Sequence, residues 1–175
     1  MCIVIDTNTV AAVFNPGHEA HQDFKPVLNW VLHGKGKLVY GGAKYKQEVF
    51  VRMSRFRRVL VELNKKGKCV VLDHAQVDAV ERRVQAAEPS TDLDDAHLIA
   101  IFDVSGCQLL CSHDARADRF VKDPLRYDRH RPPRIYRSAD HRHLLCEDNI
   151  ATCCRPSEPL AKPAREAIQQ ALGPA

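Results

Sequence analysis

Short uninterrupted apolar runs alternate along this chain with longer stretches in which apolar residues return every three or four positions, and turn-forming residues separate the two patterns. Cys2–Ile5 is the first run, and it exits into Asp6-Thr7-Asn8, which predicts a buried parallel strand followed by a helix over roughly Thr9 to Phe14. Asn15-Pro16-Gly17 breaks the chain. A second helix is expected over Ala20 to Leu32, kinked or restarted at Pro26 and closed by His33-Gly34-Lys35-Gly36, with a second strand at Lys37–Tyr40. After Gly41-Gly42, the positions Val49, Met53, Phe56, Val59, Leu60 and Leu63 keep helical spacing, so a helix or helical pair runs to Gly67. Cys69–Leu72 is expected as a third buried strand and Asp73–Ala87 as a helix with Val77, Val80 and Val84 as its apolar stripe. Ser90-Thr91-Asp92 is expected to open a helix to about Val104 whose faces are apolar nearly all round, the mark of a buried helix. Gln108–Cys111 then predicts a fourth strand, Ala115–Val121 a short helix, and Arg134–Tyr136 a last strand.

Strands alternating with helices across short turns predict an α/β domain, an α/β/α sandwich with a mostly parallel sheet of about five strands, over residues 1–137. The rhythm stops after that. Residues 138–175 carry Pro156, Pro159, Pro163 and Pro174 and one plausible helix, Lys162 to Leu172, and form an appendage.

The usage of a chain of 175 residues with 45% hydrophobic and 27% charged content is that of a globular domain, and aromatics at 6% make the core aliphatic. No stretch nears the roughly 20 apolar residues of a membrane span, since even Leu98–Val104 is broken at Asp103. Cys2–Ile5 is too short for the core of a signal peptide, so a soluble cytoplasmic protein is expected. Seven scattered cysteines, an odd number, suit reduced thiols, with Cys2, Cys69, Cys107 and Cys111 as packing residues.

Charge is uneven beneath a net +4. Lys44 to Lys68 holds nine Lys or Arg against two acids, Arg116 to Arg142 nine against four, and Glu88 to Asp103 five acids with no Lys or Arg. Two basic segments around an acidic one suit a protein that holds a polyanion near carboxylates, although solvated helix faces give the same statistics.

Asp6 and Asp114 lie at the carboxyl ends of the first and fourth predicted strands, the edge where open parallel sheets bind ligands. In Thr91-Asp92-Leu93-Asp94-Asp95-Ala96, Asp92 and Asp94 suit the positive end of a helix, Thr91 with Asp94 resembling a capping box. Asp95 enters an otherwise apolar helix and, if buried, needs a partner or a metal. Glu48 by itself is an i,i+4 partner for Lys44 or Arg52.

Taken in order and spacing, Val4-Ile5-Asp6-Thr7-Asn8, Glu48, Asp94-Asp95-Ala96-His97-Leu98-Ile99-Ala100 and Leu109-Leu110-Cys111-Ser112-His113-Asp114 resemble the acidic motifs of PIN-domain nucleases, a family that includes the VapC-like toxins of toxin–antitoxin pairs. The resemblance covers about Met1 to Tyr136. It implies a metal-dependent ribonuclease in which Asp6, Glu48, Asp95 and Asp114 hold Mg²⁺ or Mn²⁺, with Thr7 or Asn8 orienting Asp6. Asp118 is an alternative that shares or replaces the role of Asp114, and Asp92 or Asp94 an extra outer carboxylate. RNA is the implied substrate, an antitoxin protein the implied regulator, and a homodimer is compatible with the family.

The chemistry is coherent, because phosphodiester hydrolysis needs an activated water and charge neutralisation, and hard divalent ions prefer oxygen donors. Unpaired carboxylates so gathered repel one another, and at least one should have a raised pKa. Lys44, Lys46, Arg52, Arg55, Arg57 and Arg58 can follow a phosphate backbone, with Tyr45 or Phe56 for base stacking, Phe56 suiting the core better. A second cluster, His141, His143, Cys146, Cys153 and Cys154, offers zinc-type donors at a spacing of no familiar module. The competing reading is a non-catalytic PIN-like fold that binds RNA or protein.

Overall fold

The computed structural model describes residues 2–87, 93–149 and 151–172, and the side chains of these apart from residues 50–52, 54 and 55. Strand β1 (Cys2–Ile5) passes through a 3-10 turn at Thr7–Thr9 into α1 (Val10–Phe14), and α2 (His21–His33) leads to β2 (Lys37–Tyr40). Next come α3 (Ala43–Lys46), a π-helical segment Gln47–Arg52, α4 (Ser54–Lys65), β3 (Cys69–Val71) and α5 (His74–Ala87). Then α6 (Ala96–Ser105), β4 (Leu109–Cys111), α7 (Asp118–Val121), β5 (Arg134–Tyr136) and, after three 3-10 turns, α8 (Lys162–Leu172) complete the chain.

All strand pairs are parallel, in the order β3-β2-β1-β4-β5. This is the expected three-layer α/β/α sandwich. The first two crossovers step the sheet in one direction from β1, and the later ones step it the other way. Right-handed connections therefore deliver their helices to opposite faces. The packing agrees: α1 lies against α2 and α4, while α5 packs against α6. The order reverses between β1 and β4, which pair through Val4 with Leu110 and Ile5 with Cys111. A doubly wound sheet opens its ligand crevice at that reversal, beyond the carboxyl ends of the two strands.

The core is aliphatic, as the composition demands. All four residues of β1 are buried, and α6 contributes Leu98, Ile99, Ile101 and Phe102. Phe56 is buried with them. Asp103, the polar break in that helix, is buried but fully engaged, accepting from Arg83 Nη2 at 2.9 Å and from the backbone N–H groups of Asp128 and Arg129 at 3.0 and 2.9 Å. No helix among the described residues is long and apolar enough to cross a membrane.

Three expectations need correction. The strand β3 is half-buried, with Val71 exposed, because it forms the sheet edge and has only β2 as a neighbour. Helix α6 begins at Ala96, so Asp94 and Asp95 lie in the turn before it and not in its first helical turn; Thr91 and Asp92 lie outside the described residues. The cysteines are not all packing thiols: Cys2 is bonded to Cys154, whereas Cys69, Cys107, Cys111, Cys146 and Cys153 are free.

The segment after β5 packs against the sandwich. Its 3-10 turn at Ala139–Leu144 rests on α2 and α8 rests on α4, burying Leu144, Cys154, Leu160 and Ile168.

Candidate active site

Asp6 leaves β1 at the reversal point and is almost wholly buried. Its carboxylate accepts from Ser112 Oγ at 2.7 Å and from the Asn8 backbone N–H at 3.1 Å. Burial nevertheless pushes its pKa upward, with the two hydrogen bonds opposing and nearby Asp114 adding to the rise. Ser112 also accepts from the Asp114 backbone N–H at 3.1 Å, so one hydroxyl ties the exit of β1 to the turn after β4.

Glu48 comes from the π-helical segment, an element frequent at functional sites because it displaces side chains from the regular helical track. Gly42 makes that path possible. At φ +82° and ψ 153° it turns the chain from β2 into α3, in a backbone region essentially reserved for glycine, and a Cβ there would lie 2.8 Å from Val77 Cγ1. Thr7 Oγ1 donates to Glu48 Oε2 at 2.8 Å. Thr7 thus orients Glu48, while Asn8 serves Asp6 through its backbone and presents its side chain to the cleft.

Asp95 precedes α6 without capping it. Burial first, and then the charges of Asp6, Asp114 and Glu48, raise its pKa to about 6, against the opposing charge of Lys44. The charges of Asp6, Asp114 and Glu48 all reach Asp95, and Asp95 and Asp114 line one cleft. Asp114 goes the other way, held down to about 2 by Arg116, whose Nη2 and Nε lie 2.6 and 3.0 Å from Oδ2 and whose backbone N–H lies 2.8 Å from Oδ1. A cleft of about 440 Å³ runs past Asn8, Asp94, Asp95, Asp114, Arg116 and Phe120.

His97 lies behind the acids. It is buried, neither ring nitrogen has a hydrogen-bond partner among the described residues, and Nε2 stands 3.8 Å from Glu48 Oε2. Desolvation, reinforced by the charge of Lys44, drops its pKa to about 3, so the ring is neutral and the contact with Glu48 is no ion pair.

The donor set suits a hard divalent cation, since all four predicted acids offer carboxylate oxygen. Their spacing is wider than a closed coordination shell. Among the described residues, the group whose ligand atoms all lie within 4.8 Å of one another is Cys2, Cys153 and Cys154, not the acids. Arg116 pairs with Asp114 at 2.6 Å and offsets its charge.

Other predicted residues fall elsewhere. Asp118 pairs with Lys122 Nζ at 2.8 Å and with Arg137, anchoring α7. Lys44 reaches the site and donates to the Asp94 backbone carbonyl, whereas Lys46 and Arg58 are exposed. Asp92 lies outside the described residues, and the side chains of Arg52 and Arg55 outside the described side chains. Tyr45 is not available for stacking: it is buried, and its hydroxyl donates to the Ile5 carbonyl at 2.7 Å. Sequence reasoning passed over Ser112, Arg116 and His97. Ser112 and His97 lay inside the motifs that carry the resemblance, but only the acids of those motifs drew a role. Comparison with known protein families, curated proteins and solved structures finds no match to this chain.

Proposed function

We propose that this protein is a Mg²⁺- or Mn²⁺-dependent ribonuclease of the PIN type, acting as the toxin of a toxin–antitoxin pair in the cytoplasm. What supports this reading is that Asp6, Glu48, Asp95 and Asp114 come from four separate elements at the end of the sheet where the strand order reverses, with burial first and then the charges of the other three raising Asp95 to about 6. A divalent cation held by these four carboxylates would supply an activated water and neutralise the charge that develops on a phosphodiester.

The chain's own groups have separate tasks. Ser112 and the Asn8 N–H fix Asp6 in one rotamer, and Thr7 fixes Glu48, so two of the donors are oriented before any ligand arrives. Arg116, whose side chain is 88% exposed, can swing from Asp114 to a phosphate oxygen as the acid turns inward. Lys44 adds positive charge near Asp95, and the exposed Lys46 and Arg58 add basic charge for the RNA backbone. An antitoxin would act by covering the cleft at Asn8, Asp94 and Phe120, and a homodimer would place two clefts on one particle.

The test is cleavage of a mixed RNA pool by the purified protein with Mn²⁺, with EDTA, and with Asp6→Asn and Asp95→Asn in parallel. Metal-dependent cleavage lost in both variants supports the reading. Absence of cleavage by folded wild type with either metal favours the non-catalytic binding module instead.

A further inference from the structure

At the amino-terminal edge of the sheet, opposite the acidic crevice, Cys2 opens β1 and meets the adjacent pair Cys153 and Cys154 from a 3-10 turn in the carboxy-terminal segment. Their three sulfurs lie within 4.8 Å of one another, although Cys2 and Cys154 are 152 positions apart in sequence. The pairing was invisible in the sequence, which pointed to His141, His143 and Cys146 as companions. His141 instead packs its ring 6.4 Å from that of Tyr136, and the Cys146 sulfur accepts from Asn149 Nδ2 at 3.6 Å.

We propose that Cys2, Cys153 and Cys154, once reduced, form a thiolate site for a soft d¹⁰ cation of the Zn²⁺ type. The donors are all sulfur, which selects zinc-like ions and is foreign to Mg²⁺ and Mn²⁺. The surroundings already hold the ligands in place. Cys2 and Cys154 are fully buried, the Cys153 sulfur donates to the Ser105 carbonyl at 3.2 Å, and Cys107 Sγ donates to the Cys2 carbonyl at 3.2 Å from beneath. Cys153 is exposed, so the group is closed on the protein side and open on the other, leaving an entry path and a fourth position for water.

Cys2 and Cys154 are bonded to each other here, and Cys153 Sγ stands 3.7 Å from Cys154 Sγ. A phosphine or dithiol reductant breaks that one S–S bond; the reductant is oxidised by two electrons, and two protons from solvent or from the dithiol complete the two thiols. The arriving cation then displaces the thiol protons to solvent as it takes three sulfurs. The same three residues thus fasten the carboxy-terminal segment to β1 in two alternative ways, by a disulfide under oxidising conditions and by a metal under reducing ones. In a reducing compartment the second form prevails.

The experiment uses the full chain reduced with a phosphine, loaded with Zn²⁺ in the presence of excess Mg²⁺, desalted and measured by elemental analysis. Alongside it, thiol titration verifies all seven thiols before loading. The expected result is one zinc per chain, retained by Asp6→Asn and Cys146→Ser. In Cys153→Ser and Cys154→Ser, competition with a chromophoric chelator should show affinity reduced by more than the roughly 10–100-fold that loss of an outer partner costs. Cd²⁺ added to reduced wild type should give a sulfur-to-metal charge-transfer band, a readout independent of any variant's folding. No retained zinc or no such band in fully reduced wild type overturns the proposal, as does zinc that leaves with Asp6→Asn or stays undiminished in both cysteine variants.

Discussion

Asp95→Asn removes a charge that the fold holds against its preference, and its effect can be worked from the site. Moving the carboxyl from 3.8 to about 6 corresponds to about 3 kcal/mol when fully ionised. The side chain is only half-buried, so solvent screening reduces this to about 1–2 kcal/mol. Among the described residues nothing donates a hydrogen bond to the Asp95 side chain, so the isosteric amide forfeits no partner. Because the folded pKa is the raised one, the native state holds the proton more tightly than the unfolded chain. The contribution of Asp95 to stability is therefore most favourable below about pH 4 and is lost as pH rises to about 6. Asparagine has no such decline. Urea unfolding at about pH 7.5 should find Asp95→Asn more stable than wild type by about 1–2 kcal/mol, and at about pH 4 the gap should close. Saturating Mn²⁺ should reverse the order by stabilising wild type alone. A variant no more stable at about pH 7.5, or a gap unchanged at about pH 4, would refute the electrostatic account of the site.

Gly42→Ala should cost about 1–3 kcal/mol in chemical denaturation, since its backbone lies in the glycine-only region and a Cβ would press on Val77; an unchanged midpoint would show that the β2–α3 turn adapts freely. Asp103→Ala leaves two backbone N–H groups without their acceptor and leaves Arg83 with Asp128 as its remaining carboxylate, and should cost about 1–3 kcal/mol, read from the thermal midpoint. Arg116→Ala should let the Asp114 carboxyl rise from about 2 toward the ordinary range, visible in its side-chain carbon shift on acid titration. Thr7→Val should cost about 1 kcal/mol of stability at most, while weakening Mn²⁺ binding more than that small loss suggests, as calorimetric titration can measure.

The two innermost strands and the residues at their ends were legible because local pattern and long-range packing say the same thing there. An unbroken apolar run can satisfy itself only between neighbours on both sides, and Cys2–Ile5 and Lys37–Tyr40 are observed at the bounds their patterns gave. Cys69–Val71 has the same kind of pattern and a different fate, because edge position is a property of strand order and no local signal carries it. Asp6 and Asp114 followed from strand ends alone. Glu48 was recoverable only by resemblance, since its partner Thr7 lies 41 positions away and the π-helical offset that presents it leaves no mark in the periodicity. The Cys2–Cys154 link escaped for the same reason. Residues that meet across 152 positions are joined by topology, and a scattered cysteine count suggests packing until the two ends of the chain are seen to touch.

The claim that organises this molecule is that four carboxylates at the reversal of the sheet are the seat of a divalent cation. Crystals soaked in Mn²⁺ and measured at the manganese absorption edge test it most directly. The account predicts an anomalous peak bounded by Asp6, Glu48, Asp95 and Asp114, with Arg116 turned away from Asp114, and no peak there in Asp95→Asn. A fully soaked wild-type crystal with no peak among those carboxylates, or with Arg116 still clamped on Asp114 and manganese bound elsewhere, would contradict it.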